Sequence, residues 1–241
     1  MLPMEQKAIV IGASSGIGRA LAIILSQNGY QTGIVGRREE LLVQLNKDYP
    51  NAFVPKALDC NSENVIEGLE ALVENLGGLD LLVFSSGTGD LNEPLDDQIE
   101  QMTNNLNVIA FSKVVGWAFK FFQNQGYGHL VAISSIGGLR GSRIAPSYNA
   151  SKAYQINYLE GLRQKAKKSK LKITVSDVRP GFVDTAMAKG DGKFWVAPPK
   201  KAAHQIYNAI KRKKDRVYVT KRWRIIALIL KILPTWLYKR M

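Results

Sequence analysis

The sequence predicts an α/β fold: a doubly wound parallel sheet of about seven strands with helices on both faces, followed by a basic amphipathic C-terminal helix. Three observations carry this expectation. Short apolar runs alternate with amphipathic stretches along the whole chain, and the first apolar run ends directly in glycine-rich sequence. The 241 residues, 46% apolar and 22% charged, also suffice for one sizeable core. Strands that alternate with helices build a parallel sheet, and right-handed crossovers then favour double winding.

Taken in order, the first strand falls at residues 7–11 and runs into a glycine turn that opens a helix over 16–28. The second strand, 32–35, precedes a helix over 39–47, and the third, Phe53–Ala57, precedes one over 63–76. A fourth strand at 79–84 leads to the longest helical pattern, 97–125, and strands at 129–134 and 173–177 flank a helix over 147–168. A helix over 199–213 and a strand at 217–219 complete the alternation. No internal repeat, low-complexity tract or linker interrupts it, so residues 1–220 read as one domain and 221–241 as a tail. Within the domain, 186–199 carries glycines, prolines and the aromatic pair Phe194-Trp195, and reads as a mobile substrate lid.

Cys60 is the single cysteine, so no internal disulfide forms, and no Cys/His cluster has metal-ligand spacing. The chemistry is expected to need no metal. The N-terminus lacks the basic segment and small-residue cleavage site of a signal peptide, and a cytoplasmic setting is expected. The net charge of +13 is unevenly placed: residues 200–241 hold thirteen Lys/Arg against one acid, Asp215. Such asymmetry points to an acidic surface met by the C-terminal region, membrane and nucleic acid being the usual kinds.

The turn after the first strand reads Gly12-Ala-Ser14-Ser15-Gly16-Ile17-Gly18. Glycines there let the backbone turn tightly and approach a pyrophosphate, while the free N–H groups and positive end of the following helix favour negative charge. This is the signature of dinucleotide binding in a Rossmann-type sheet. Such a half usually carries an acid after its second strand to hold the ribose 2′-hydroxyl. Here Gly36-Arg37-Arg38 follows instead. A guanidinium matches a 2′-phosphate in a bidentate way, so NADP(H) is favoured over NAD(H).

Further along, Tyr148-Asn-Ala-Ser-Lys152 sets a phenol and an ammonium four residues apart, neighbours on one face of a helix. These pieces fall into an order: GASSGIG at 12–18, Asp59 after the third strand, Asn107 in the long helix, Ser134-Ser135 ending the fifth strand, YNASK at 148–152 and PGFVDT at 180–185. In that order the chain resembles the short-chain dehydrogenase/reductase family over roughly residues 7–219. Tyr-x-x-x-Lys alone is common, whereas the full set, with Ser135 thirteen residues before Tyr148, is specific.

The resemblance implies an oxidoreductase that moves a hydride between nicotinamide and a carbonyl/secondary alcohol pair, with a catalytic tetrad of Asn107, Ser135, Tyr148 and Lys152. Tyr148 would be the acid/base. A free phenol has a pKa of about 10 and needs a neighbouring positive charge to exchange protons near neutrality, which Lys152 would supply. Ser135 would hydrogen-bond the carbonyl oxygen, Lys152 would also hold the nicotinamide ribose, and Asn107 would hold a water that relays protons to Lys152. Cofactor contacts are implied at Gly12, Ser14, Ser15, Gly16, Ile17, Gly18, Arg37 and Arg38. Pro180, Gly181, Val183 and Thr185 would close over the nicotinamide, and Asp59 would lie near the adenine or else cap its loop. Family members are commonly homodimers or homotetramers acting on small molecules.

One piece departs from the family pattern. Phe84-Ser85-Ser86-Gly87 stands where Asn-Asn-Ala-Gly is usual, so the adenine-ribose site falls to Ser85 and Gly87, with serine hydroxyls replacing some amide bonds. His129 and His204 are given no catalytic role. The tail's apolar run, 225–233, is far short of the ~20 residues that span a bilayer. Edged by Trp223, Trp236 and Tyr238 and flanked by Lys/Arg, it suits the plane of an anionic membrane, or else a partner subunit or the substrate cleft. Nucleic acid is disfavoured, because the charges flank an apolar helix. A membrane-lying tail makes a lipid-like carbonyl or alcohol the natural substrate. The competing readings are a silent cofactor-binding sensor and a membrane-surface scaffold.

Overall fold

In the computed structural model, which describes residues 6–188 and 194–240, the strands are β1 Gln6–Ile11, β2 Tyr30–Gly36, β3 Phe53–Ala57, β4 Leu81–Phe84, β5 Tyr127–Ile133, β6 Lys172–Pro180 and β7 Arg216–Val219. They form one sheet in the order β3-β2-β1-β4-β5-β6-β7, every pair parallel. The doubly wound sheet expected from the sequence is the one observed. Its order reverses between β1 and β4, where Ile11 pairs with Phe84. The carboxyl ends of those two strands therefore open the crevice in which such sheets take ligands.

The helices are α1 Gly16–Ser26, α2 Glu39–Asp48, α3 Val65–Leu76, α4 Asp97–Asn104, α5 Phe111–Gln125, α6 Pro146–Ser169, α7 Pro199–Lys211, α8 Trp223–Ile232 and α9 Thr235–Tyr238. Two apolar layers hold them to the sheet. One face packs Leu21 and Leu25 of α1, Leu42 and Leu45 of α2 and Ile206 of α7 against Val10, Ile34 and Val83. The other packs Leu69 and Leu72 of α3, Phe111, Val115 and Phe119 of α5 and Leu159 of α6 against Ile9, Leu82 and Leu130. Because both faces are covered, the strands read as unbroken apolar runs without alternation.

The expected helix over 97–125 is helical throughout but not uniform. Asp96 starts it, its carboxylate accepting from the N–H groups of Gln98 and Ile99 at 2.8 and 3.2 Å. At Asn105–Ala110 the turn widens to a π-helix, and the Phe111 N–H reaches back to the Leu106 carbonyl. The extra residue shifts the helical phase between α4 and α5, and π-turns of this kind gather at functional sites.

The tail folds back on the domain. Trp223, 1% exposed, and Ala227 are buried, while Ile225, Leu228, Ile229 and Ile232 form an exposed apolar stripe on the opposite face of α8. Pro234 ends that helix, so the expected single tail helix is two. The central part of the expected lid, 189–193, lies outside the described residues.

Candidate active site

The glycine turn is built backbone against backbone. Gly12 and Gly16 have φ of +84° and +57°, a region side chains rarely adopt. A Cβ on Gly12 would lie 2.7 Å from the Ser86 nitrogen, and one on Gly18 would lie 2.2 Å from the Gly12 carbonyl oxygen. The N–H groups of Gly12 and Ala13 both donate to Val35 O, at 2.8 and 3.0 Å, which fixes the turn to the end of β2. The side chain of Ser15, at the N-cap of α1, forms no capping bond, leaving the first-turn N–H groups of Gly16, Ile17 and Gly18 without that partner. Arg38 reaches across from the end of β2, its guanidinium donating to Ser14 Oγ and Ser15 Oγ at 2.8 Å each. Arg37 is exposed beside it.

After β4, Ser85 bonds β1 through its backbone, and Ser86 bonds the loop after β3 through its side chain. Ser85 N–H donates to Ile11 O at 2.8 Å, and Ser86 hydrogen-bonds the buried thiol of Cys60, whose pKa burial pushes up to about 11. Asp59 accepts from the Asn61 N–H at 2.9 Å, the loop-capping contact weighed for it from the sequence. Gly87 stands at the centre of the crevice, where a Cβ would lie 3.4 Å from both Asn107 Oδ1 and Lys152 Nζ.

Asn107, Ser135, Tyr148 and Lys152 converge at the carboxyl ends of β4 and β5. Ser135 Oγ accepts from Gly137 N–H at 3.0 Å and hydrogen-bonds the Tyr148 phenol. Burial raises the Tyr148 pKa and the Ser135 bond draws it back down. A Cβ on Gly89 would fall 2.1 Å from the Tyr148 ring, so the bare backbone there is what admits the ring. Lys152 Nζ is buried 5.9 Å from the Tyr148 ring centroid and donates to Ile133 O at 3.1 Å and Gln155 Oε1 at 3.0 Å. Desolvation lowers its pKa to about 8, with Asp177 pulling upward. Asn107 is fully buried: its Nδ2 donates to Thr88 O at 2.6 Å and Ser151 Oγ at 3.0 Å, and its Oδ1 accepts from Thr88 N–H at 3.0 Å. It thereby ties the loop after β4 to α6.

The sequence profile of the short chain dehydrogenase family matches residues 6–194, most of this chain. The chain belongs to that family. An uncharacterized oxidoreductase of Staphylococcus aureus is 32% identical over 189 residues, 76% of this chain and 80% of that relative. Two solved structures share the fold. A short chain dehydrogenase/reductase from Burkholderia phymatum in complex with NAD gives a TM-score of 0.84 at 17% identity, over 93% of this chain and 92% of that one. A short chain dehydrogenase from Burkholderia cenocepacia in complex with NADP gives 0.82 at 21%, over 98% and 96%.

In this short chain dehydrogenase, the segment after β6 closes the crevice from above. Gly181 N–H donates to Val219 O at 2.7 Å, Val183 bridges Ala197, and a Cβ on Gly16 would lie 3.1 Å from Thr185 Cγ2, so Thr185 overhangs the glycine turn. Pro180 ends β6 beneath it. Four aromatic rings cluster on the outer side: Phe182, Phe194, Trp195 and Trp223 meet mostly edge to face, with centroids 4.9 to 6.1 Å apart. A Cβ on Gly181 would overlap the Trp223 ring at 2.1 Å. The Arg140 guanidinium donates to Leu233 O and lies 5.0 Å from the Tyr238 ring centroid, while the Tyr238 hydroxyl donates to Gly141 O. The tail thus clasps the loop that follows Ser135.

Sequence reasoning missed several of these groups. Gln155 bonds Lys152, and the buried pair Asp177 and Arg179, joined at 2.7 Å, lies below it with Ser134. Arg140 holds the tail. The one available signal was a polar Gln three residues after Lys152 on the inward face of α6. Neither histidine joins the cluster. His129 bonds Ser176 Oγ at 2.8 Å within the fold, and His204 is exposed on α7. Among the described residues no group of His, Cys, Asp and Glu could hold a metal.

Proposed function

We propose that this chain is an NADPH-dependent carbonyl reductase acting on an apolar, lipid-like ketone or aldehyde, or oxidising the matching alcohol. The observation that carries the reading is the Tyr148 phenol, hydrogen-bonded to Ser135 and set beside the buried Lys152 ammonium, at the mouth of a crevice floored by the glycine turn. That turn fits a dinucleotide. Its backbone leaves room that any Cβ would fill, and the uncapped start of α1 suits a pyrophosphate. Arg38, gathered with Ser14 and Ser15 where an acid would select a 2′-hydroxyl, suits a 2′-phosphate. Bound there, the nicotinamide supplies the hydride that reaches the carbonyl carbon.

The chain's own residues handle the oxygen. Ser135 donates to the carbonyl oxygen and orients it toward Tyr148. Tyr148 gives that oxygen its proton, and the phenolate left behind is stabilised by the Lys152 charge until solvent reprotonates it. Thr185 and Val183, in the segment that overhangs the glycine turn, would help hold the cofactor there. The aromatic wall of Phe182, Phe194, Trp195 and Trp223 favours an apolar substrate body. The exposed apolar stripe of α8, flanked by Lys221, Arg222, Arg224 and Lys231, fits peripheral contact with an anionic membrane from which such a substrate would come.

Fluorescence titration with NADPH and NADH tests the cofactor site. NADPH should bind at least tenfold more tightly, and Arg38→Asp should remove the difference. Tyr148→Phe should retain NADPH binding and lose reduction of long-chain and aromatic ketones. Equal binding of the two cofactors would refute the NADP preference, and full turnover by Tyr148→Phe would refute the mechanism.

A further inference from the structure

Gln155 sits one turn beyond Lys152 on α6 and is 0% exposed. Both ends of its amide are used. Oε1 accepts from Lys152 Nζ at 3.0 Å, and Nε2 donates to the backbone carbonyl of Asn107 at 2.9 Å. The orientation is forced, because an ammonium has no acceptor to offer and a carbonyl no donor. A buried amide costs desolvation that an apolar side chain of the same shape would not, and is tolerated where both ends are bonded. Packing alone would not select glutamine here.

The bridge joins two pieces of the site that come from distant sequence. One end is the ammonium, held on its other side by Ile133 O of β5 and facing Tyr148 on its own helix and Asp177 from β6. The other end is the π-helical turn at Asn105–Ala110, whose widened backbone presents Asn107 O toward α6. Asn107, expected from the sequence to hold a water that relays protons to Lys152, is joined to that ammonium by the Gln155 side chain.

We propose that Gln155 is a positioning residue of this reductase: its amide clamps the Lys152 ammonium to the π-turn and keeps that charge beside Tyr148 through turnover. This rests on the proton-transfer reading of Tyr148 and Lys152 given above. An acceptor on the ammonium favours its charged form, which offsets part of the desolvation that lowers its pKa. Removing the acceptor should therefore make Lys152 lose its proton at lower pH, and a carboxylate in its place should make it hold the proton longer.

The test is a titration of full-length protein labelled with 13C at lysine Cε, followed by NMR, with the Lys152 resonance assigned from Lys152→Arg. Wild-type Lys152 should titrate near pH 8. In the near-isosteric Gln155→Met it should fall by about one unit, the size of one hydrogen bond to a charged group. In Gln155→Glu it should rise above wild type. In parallel, the kcat for reduction of 4-nitrobenzaldehyde by NADPH should lose its alkaline limb earlier in Gln155→Met and later in Gln155→Glu, with KM little changed. A Lys152 titration identical in all three proteins would overturn the proposal, as would a pH-independent loss in Gln155→Met that Gln155→Glu does not reverse. If wild type leaves the aldehyde unreduced, the reductase reading fails on that result, while the lysine titration still decides the role of Gln155.

Discussion

Several buried polar residues of this short chain dehydrogenase answer to a partner brought in from another element. His129 is the clearest case outside the site. Ser176 spends its one proton on Lys214 O at 2.6 Å, so His129 Nε2 must be the donor to Ser176 Oγ. Burial, helped by Lys213, pulls the His129 pKa down to about 4. Between that value and the ordinary one near 6.5, the unfolded chain binds a proton that the folded chain refuses, so stability rises with pH across the window and is lost on acidification. Urea unfolding should therefore show about 2 kcal/mol less stability from this residue at pH 5 than at pH 7.5. His129→Gln, which keeps a donor for Ser176 but cannot titrate, should show a smaller acid loss; an equal loss would locate the effect elsewhere.

Among the elements, α8 carries the largest unexpected weight. An isolated amphipathic helix would bury one stripe, yet α8 is apolar on both sides: Trp223 and Ala227 inward, Ile225, Leu228, Ile229 and Ile232 outward. Trp223 sits flat over Gly181 and closes the aromatic wall of the cleft. Trp223→Ala should cost about 3 kcal/mol in urea unfolding and raise KM for aromatic ketones more than it lowers NADPH affinity. A variant of unchanged stability would show that the tail is not part of the core. The π-turn plays the complementary role in the long helix, since the residue it adds lets Asn107 face inward toward Thr88, Ser151 and Gln155.

At the scale of the whole molecule, the basic charge of the last 42 residues divides between two ends. Lys211, Arg212, Lys213, Lys214 and Arg216 lie at the amino end of β7, where Lys213 and Arg216 join Arg163, Lys167 and Lys170 around a cavity of about 560 Å³. Lys221, Arg222, Arg224 and Lys231 lie at the opposite end, around the exposed apolar stripe of α8. Only the second group can act together with that stripe on one surface. No described helix is long and apolar enough to cross a bilayer, so contact there would be in plane. Full-length protein should co-sediment with vesicles rich in phosphatidylglycerol, and Ile225→Glu with Leu228→Glu should reduce binding about tenfold. Unchanged sedimentation would instead leave that face for another copy of the chain.

What the sequence determined by itself was local or periodic. The strand–helix alternation, the glycine turn, the paired guanidiniums after β2 and the i, i+4 spacing of Tyr148 and Lys152 each follow from neighbours along the chain, where short-range sterics and helical phase decide the outcome. The tertiary structure decided what depends on groups far apart in sequence. Arg38, not Arg37, reaches the serines of the turn. Ser86 ties to Cys60, Trp223 covers Gly181, and Gln155 joins Lys152 to Asn107 across 48 residues. Apart from the three-residue spacing of Gln155 from Lys152, none of these has a one-dimensional signature, because a buried polar or aromatic side chain is explained only by the partner that satisfies it, and that partner is chosen by the packing of the whole sheet.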